Sequence, residues 1–534
     1  MNTPEGTRRR TRPVVVAALA ALAALGAPLL PEAIGHAATS TIGTWELTAP
    51  LSVPRYDHTT TLLANGKVLA AGGRTSPAGT IFNSAEVYDP ITERWTPTGP
   101  MNDFRWRHTA TLLPDGRVLV AGGFTGTTGN NAQPVLNSAE IYDPTTNTWT
   151  RTGSMNVRRA LHSAVLLPDG KVLVAGGRWC PNAPPATCDF TFRTATAELY
   201  DPSTGTWTPT GNMNQARHTT TAVLLQNGLV LVPGGFTDNG NGFNGDLYNP
   251  ATGTWVLTGN LNFPRGRQGG MLLQDGRVLV ALGFPANQST ELYDPNSNTW
   301  SFAGNLTGFT SRFNFNYGVM PNGKAVVAGG QTNPPSMVTN RSDLFDPATN
   351  QWTTTAPMNE PHGSGSSLAN SDPMVILSAS PTSYVADPAV CGRHCGKAMV
   401  AGNSPSGSVE LFTAPNTCFG FNATIIGTEG ADNLVGTRGR DVIIGLGGDD
   451  RITASYGNDI VCGGEGNDFI AGGYNNDIVL GEAGSDQVSG AEGNDFLFGE
   501  GEADRLTGGP GTDTADGGAS EGDICFASTV RNCP

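Results

Sequence analysis

The chain has 534 residues, too many for one ordinary hydrophobic core, so two or more domains are expected. Its formal charge of -15 is unevenly placed: from Phe419 onward 20 carboxylates face 5 arginines and no lysine, so this stretch carries the whole net charge. A neutral body with an acidic tail argues against nucleic acid as a partner and points to cations as partners of the tail.

The first residues have the three parts of an export signal: the basic "RRRTR", the apolar "VVVAALAALAALGAPLL", and small residues at Gly35 and Ala37. Residues 1–37 are therefore expected to be a secretory signal peptide and the protein to be secreted and extracellular. Gly26 and Pro28 interrupt the apolar run, which disfavours a membrane anchor, and no later stretch is apolar enough for a membrane span. Eight cysteines in an exported chain imply disulfides. Spacing pairs Cys180 with Cys188, Cys391 with Cys395 and Cys525 with Cys533, leaving Cys418 for Cys462. A zinc site is the competing reading, disfavoured because no Cys or His quartet has finger spacing.

Between Trp45 and Pro415 one unit is rewritten: "GKVLAAGG…NSAEVYDPITERW", "GRVLVAGG…NSAEIYDPTTNTW", "GKVLVAGG…TAELYDPSTGTW". The units close on Trp95, Trp149, Trp207, Trp255, Trp300 and Trp352, 45 to 58 residues apart. Each alternates apolar runs with turn signals, as four short strands would, and an Asn-Gly or Asp-Gly pair such as Asp115-Gly116 suits a type I′ hairpin turn. Such units resemble kelch repeats, and the resemblance implies a β-propeller over residues 38–415. A seventh unit, with "AMVAG" from Ala398 and "VELF" from Val409, lacks its tryptophan strand, and Trp45 supplies one. Seven blades are expected, with the Trp45 strand closing the ring.

Two charges recur. An acid precedes the aromatic residue of the third strand at Glu86, Glu140, Glu198, Asp246, Glu291, Asp343 and Glu410. An arginine opens the first strand at Arg55, Arg105, Arg159, Arg217, Arg265 and Arg312, with His362 in the seventh unit. A charge present in every blade reads first as architecture, an Arg to carboxylate tie between strands. The alternative is a basic ring that meets ligand.

In an up-and-down blade, the loops joining strands two and three share a face with the links between blades, and that face carries every long variable loop. Blade three has the longest, "RWCPNAPPATCDFTFR". Its Trp179 and the Trp106 of "RWRH" stand outside the framework, so the six arginines with Trp106 and Trp179 define the candidate ligand-binding face. Kelch propellers serve as binding platforms, which implies an extracellular polysaccharide or surface protein as partner of a monomer. The alternative is a sugar-modifying enzyme, mutarotase- or epimerase-like. Galactose and glyoxal oxidases also resemble the propeller, but their copper-radical chemistry needs a Tyr-His pair, and no Tyr-His dipeptide occurs; no transition metal is expected.

In the acidic stretch an aspartate returns every ninth residue: Asp432, Asp441, Asp450, Asp459, Asp468, Asp477, Asp486, Asp495, Asp504 and Asp513. A glycine stands five residues before each, with Ala454 the exception, and an apolar residue two after. This pattern, G-G-x-G-x-D-x-U-x, is similar to the calcium-binding repeat of RTX proteins, which implies a parallel β-roll, placed here at residues 416–516, with a disulfide-closed tail at 517–534. Two repeats make one coil of 18 residues, and coils stack about 4.8 Å apart. The aspartates then stack too, and like charges at that spacing repel by roughly 1 kcal/mol even in water. Several calcium ions between coils would answer the repulsion. Ala454 with Ser455, Asn475 and Glu502 replace glycines, and weak or empty sites are expected beside them. Most relatives of this roll leave the cell through a one-step channel and lack cysteine, whereas this chain joins an export signal to cysteines. It is expected to fold outside the cell. The fold class is all-β: a seven-bladed kelch-type β-propeller followed by a parallel β-roll of calcium-binding repeats.

Overall fold

A computed structural model of the chain describes residues 43–76, 79–126, 134–179, 192–285, 288–306, 312–332, 337–363, 372–378, 387–518 and 522–533. The expected signal peptide and the pair Cys180 and Cys188 lie outside the described residues.

Each repeat unit folds as an antiparallel sheet. In the first, Thr59–Leu62, Val68–Ala71, Ala85–Asp89 and Arg94–Pro97 pair in chain order. The second strand is apolar throughout and fully buried, because sheets cover both of its faces. Its hairpin differs from the expected turn. Leu63 N–H bonds Lys67 O at 2.8 Å and Gly66 N–H bonds Leu63 O at 3.0 Å, and only the glycine, at φ 76°, is left-handed. This is a three-residue loop ending in a bulge glycine, and it needs one positive φ instead of the two of a type I′ turn.

The innermost strands Thr59–Leu62, Thr109–Leu112, Ser163–Leu166, Val223–Leu224, Gly269–Leu272, Asn316–Val319 and Val375–Ile376 neighbour one another in a closed cycle. The last sheet is completed from the other end of the chain: Thr44–Thr48 pairs antiparallel with Val409–Thr413, setting Trp45 opposite Phe412.

The recurrent charges tie each unit together. Arg159 is fully buried; its guanidinium donates to Gly176 O at 2.8 Å, to Thr196 O at 3.0 Å and to Glu198 at 2.8 Å. Glu198 in turn accepts the backbone N–H groups of Asn156 and Val157 at 2.7 and 3.1 Å. The same tie joins Arg55 to Glu86, Arg105 to Glu140, Arg217 to Asp246, Arg265 to Glu291 and Arg312 to Asp343, and His362 meets Glu410 at 3.0 Å. Burial removes Arg55, Arg105, Arg159, Arg217, Arg265 and Arg312 from the candidate ligand face. They are strand fasteners.

Beyond Thr413 the backbone becomes a parallel β-solenoid of two sheets. Ile443, Val461, Val479, Leu497 and Ala515 stack in one sheet, and Ile452, Ile470, Val488 and Leu506 in the other, all buried between them. The sheets run on past residue 516: Ile524–Phe526 and Thr529–Arg531 pair parallel with Arg505–Thr507 and Thr514–Gly518. The segment expected as a separate tail is therefore a further rung, hidden in the sequence because one added residue breaks the nine-residue register. Disulfides join Cys391 to Cys395, Cys418 to Cys462 and Cys525 to Cys533. Among the described residues no helix is long and apolar enough to cross a membrane.

Propeller and solenoid share one apolar cluster, in which Val375, Leu377, Met399 and Leu411 meet Val442, Ile444, Ile460 and Leu480. At its rim Arg393 donates to Glu93 at 2.6 Å and to Glu500 at 3.0 Å.

Replacing Glu198 with alanine strands the Arg159 charge in the core. Urea unfolding of the calcium-loaded chain should show a loss of about 3–5 kcal/mol, and a loss below 1 kcal/mol would show the pair to be no stronger than a surface contact.

Candidate functional site

Two places concentrate unsatisfied or asymmetric charge. The first is the aspartate ladder. In each coil the aspartate's Oδ1 accepts the backbone N–H of the aspartate one coil earlier: Asp459 donates to Asp477 at 2.9 Å, Asp468 to Asp486 at 2.8 Å and Asp477 to Asp495 at 2.9 Å. That bond fixes the carboxylate and turns Oδ2 inward. In Asp450, Asp459, Asp468, Asp477, Asp486, Asp495 and Asp504, Oδ2 is buried without a hydrogen-bond partner. Except at Asp459, which follows Ala454, the glycine five residues earlier opens the space beside it. A Cβ built on Gly472 would stand 2.6 Å from Asp477 Oδ2 and 3.0 Å from the carbonyl oxygen of Gly490. An orphaned carboxylate oxygen facing a carbonyl in a glycine-lined cradle is a donor set that fits a hard cation such as calcium. When bound, calcium would supply the positive charge these oxygens lack.

The ends of the ladder differ. Asp432 Oδ2 accepts Thr428 N–H at 2.6 Å and its hydroxyl at 2.9 Å; Asp441 Oδ2 accepts the same groups of Thr437 at 2.6 and 2.8 Å. A threonine thus answers these two carboxylates where later repeats have glycine or another residue at that position. Asp513 receives Asp495 N–H on Oδ1 at 3.0 Å. At the other end Asp523, which the nine-residue register missed, accepts Asp504 N–H on Oδ1 at 2.9 Å and so continues the ladder. "GGASEGDIC" held the signal, once an insertion is allowed. At the glycine replacements Ser455 and Asn475 themselves adopt φ 85° and 76°, so the coil continues there.

Burial, with repulsion from stacked neighbours, pushes these carboxyls up. Asp477 and Asp486 reach about 8, Asp504 about 7, and Asp468 and Asp495 about 6, while the backbone N–H bond pulls each the other way.

The second place is the mouth of the propeller's central channel, a cavity of 330 Å³ lined by Asp57, Arg107, Asp372, Tyr317, Asn403 and the histidines of the first strands. Two residues beyond each fastening arginine stands a left-handed residue: Asp57, Arg107, Leu161, Thr219, Arg267 and Asn314, with φ between 55° and 61°. Backbone bonds pass from one to the next: Arg107 N–H to Asp57 O at 3.1 Å, Leu161 to Arg107 at 3.3 Å, Thr219 to Leu161 at 3.1 Å and Arg267 to Thr219 at 3.0 Å. A left-handed non-glycine residue costs roughly 1–2 kcal/mol. The repeat accepts that cost in successive blades, in a conformation that sets Asp57, Arg107 and Leu161 on the channel wall.

The charges here do not repeat. Asp57 is buried between Arg107 and Arg74, whose Nε lies 2.6 Å from Asp57 Oδ2. Asp372 stands 3.8 Å from Arg107, and burial, with Asp57 nearby, pushes it up to about 6 against the pull of Arg107. Burial holds His218 well below its usual range, and the charges of Arg178, Arg193 and Arg267 add to the effect. Arg267 faces the rings of Phe236, Phe284 and Phe313 at 5.1 to 5.7 Å. Burial, with Arg107, lowers its own pKa to about 10. His108 and His162 bond the hydroxyls of Thr59 and Thr109 at 3.0 Å, so they serve the seams between blades.

Trp106 is not an exposed platform. It is 1 % exposed, with Arg74 3.8 Å above its ring and Phe124 beside it. Trp179 is half-buried, edge-on to Phe192. Asp57, Arg107 and Asp372, which line the cavity, Arg74, which ties to Asp57, and Arg178 and Arg267, whose charges act on His218, escaped sequence reasoning because it followed what recurs. Their signal was the reverse: a charge where sister units carry Phe, Leu or Thr.

Residues 40–239 match the family model of the attractin/LZTR1 β-propeller. The model of the RTX calcium-binding nonapeptide repeat matches at residues 426–461, 453–488 and 489–521. No curated protein matches the chain. Among solved structures, a fungal alcohol oxidase of the AA5 family in complex with copper is 17% identical, covering 72% of this chain and 79% of its own, with a TM-score of 0.52. That likeness concerns the fold alone. The structure of YjhT, also 17% identical, covers 58% of this chain and all of its own, at a TM-score of 0.45. The chain thus joins an N-terminal β-propeller to RTX repeats in a parallel β-solenoid, and RTX repeats imply calcium binding.

A carboxyl whose pKa is raised by folding stabilises the fold fully below its unfolded value, near 4, and loses that contribution as pH rises through the folded value. In chelator, the coils around Asp468 to Asp504 should hold near pH 5 and open as pH passes from 6 to 8, and calcium should close them again at pH 8. Hydrogen exchange on peptides from 460–505 reads this directly. Equal protection at pH 5 and 8.5 without calcium would contradict it.

Proposed function

We propose that the protein is a secreted, monomeric calcium-binding protein whose seven-bladed kelch propeller binds an extracellular carbohydrate or surface protein at its channel mouth. The roll takes up several calcium ions and serves folding or attachment. The observation that carries this reading is the asymmetry of the mouth: Arg107 breaks the repeat and lines the cavity, and the charges of Arg178, Arg193 and Arg267 converge on His218, two residues before the cavity-lining Thr220. An acidic ligand, a uronic or sialic acid unit or a protein carboxylate, matches that charge. The disulfides and the calcium requirement both favour an oxidising, calcium-rich exterior.

One observation favours a second reading, a metal-free sugar-modifying enzyme. Asp372, at about 6, faces the cavity with a pKa suited to proton transfer near neutrality. Asp372→Asn would then abolish anomer interconversion followed by NMR.

For the binding reading the test is calorimetry with uronic and sialic acid oligomers. Arg267→Gln should weaken binding by about tenfold or more, the loss of one charge-assisted bond. Affinity should rise as pH falls through 6, because protonating Asp372 removes a negative charge beside Arg107. Unchanged affinity in Arg267→Gln would remove the mouth from the binding site.

A further inference from the structure

The roll carries a feature that calcium binding does not use. Tyr456 and Tyr474 occupy the same position in successive coils and stack face to face, with ring centroids 4.5 Å apart and planes 6° from parallel. Both are solvent-facing, 48 % and 43 % exposed. One coil further the position is Glu492, and beyond it Pro510, to whose carbonyl Gly493 N–H bonds at 3.1 Å. The aromatic stack therefore stops for one rung. Tyr474, Asn475, Asn476, Glu492, Gly493 and Pro510 line an open cleft there, continuous with Tyr456, of 510 Å³.

With coils about 4.8 Å apart, the Tyr474 ring and Pro510 stand roughly 10 Å apart, room for one flat ring in van der Waals contact with each. We propose that this gap is a carbohydrate subsite, in which a pyranose ring completes the tyrosine stack. The apolar C–H face of the sugar would lie on Tyr474 and its far face against Pro510. Its equatorial hydroxyl or amino groups would meet Glu492 and the amides of Asn475 and Asn476. Charge selects among sugars. The floor is the exposed Glu492 carboxylate, so acidic sugars are repelled and neutral or amino-bearing β-linked chains are accepted. This site is separate from the propeller mouth, which prefers the opposite charge.

The test titrates the full chain, in calcium, with a hexamer of β-1,4-linked glucosamine and with cellohexaose, following tyrosine fluorescence and heat. Both should bind, the glucosamine hexamer more tightly. Tyr474→Ala should weaken binding tenfold or more. Because that variant also removes a stacking contact, the deciding variant is Glu492→Tyr, which extends the aromatic stack into the gap. It should abolish binding while the thermal transition of the roll stays equal or rises. Binding that survives Glu492→Tyr, or no binding of either hexamer at millimolar concentration, overturns the proposal.

Discussion

The constraint beneath the C-terminal solenoid is a pair of columns of buried carboxylates, each stacked one rung apart. Stacking serves the backbone, since Oδ1 of each aspartate receives the N–H of the aspartate before it and locks the 18-residue coil. The same stacking leaves the Oδ2 atoms facing glycine-lined space with no partner. An unpaired buried carboxylate is among the costliest groups a fold can hold. Each column therefore closes only with a proton or a cation on that oxygen, and calcium is the cation whose oxygen-rich, flexible coordination suits carboxylates and carbonyls together. The two threonine-answered aspartates show the other solution: Thr428 and Thr437 supply hydrogen bonds from within the chain, so the first carboxylates of the ladder are answered without help.

The propeller resolves its buried charge differently. Each fastening arginine reaches at least two backbone carbonyls and an acid, and the acids also take backbone N–H groups or, at Asp343, the side chains of Arg341 and Thr354, so every fastener has its counter-charge. These groups hold every blade alike and are spent in doing so. The departures from the repeat lie two residues past the fasteners and at the start of the variable loops, where Asp57 and Arg107 line the channel and Arg74 ties to Asp57.

This explains what the sequence disclosed. Periodicity exposes whatever recurs: the four-strand units, the Trp45 strand, the arginine ties as their architectural reading, and the nine-residue ladder were all legible, because each unit repeats the same packing problem. The ligand-face reading of those arginines meets their burial for the same reason, since a repeated residue faces a repeated, buried environment; Trp106, outside the repeat, is instead buried between Arg74 and Phe124. Asp523 escaped because one inserted residue shifts the register while leaving the rung intact. The mouth escaped because Asp372 and Asp57 are 315 residues apart and come together only when the ring closes. The turn type was misjudged because an Asp-Gly pair is compatible with two hairpin geometries, and the strand ends decide between them.

The two halves are not independent beads. Leu480 and Phe498, from the coils of the aspartate ladder, lie in the same apolar cluster as Met399 and Leu411 of the sheet that the Trp45 strand completes. Arg393, between the disulfide partners Cys391 and Cys395, spans Glu93 of the first repeat unit and Glu500 of the solenoid. Beside it Glu482 stacks on Glu500, and burial, with the Glu500 charge, pushes it up to about 7. The seam where the propeller ring closes is thus the surface on which the solenoid rests. Whatever orders the coils at Asp477 to Asp504 also fixes Leu480, Phe498 and Glu500 against that seam, so order in the ladder and closure of the ring share one set of contacts.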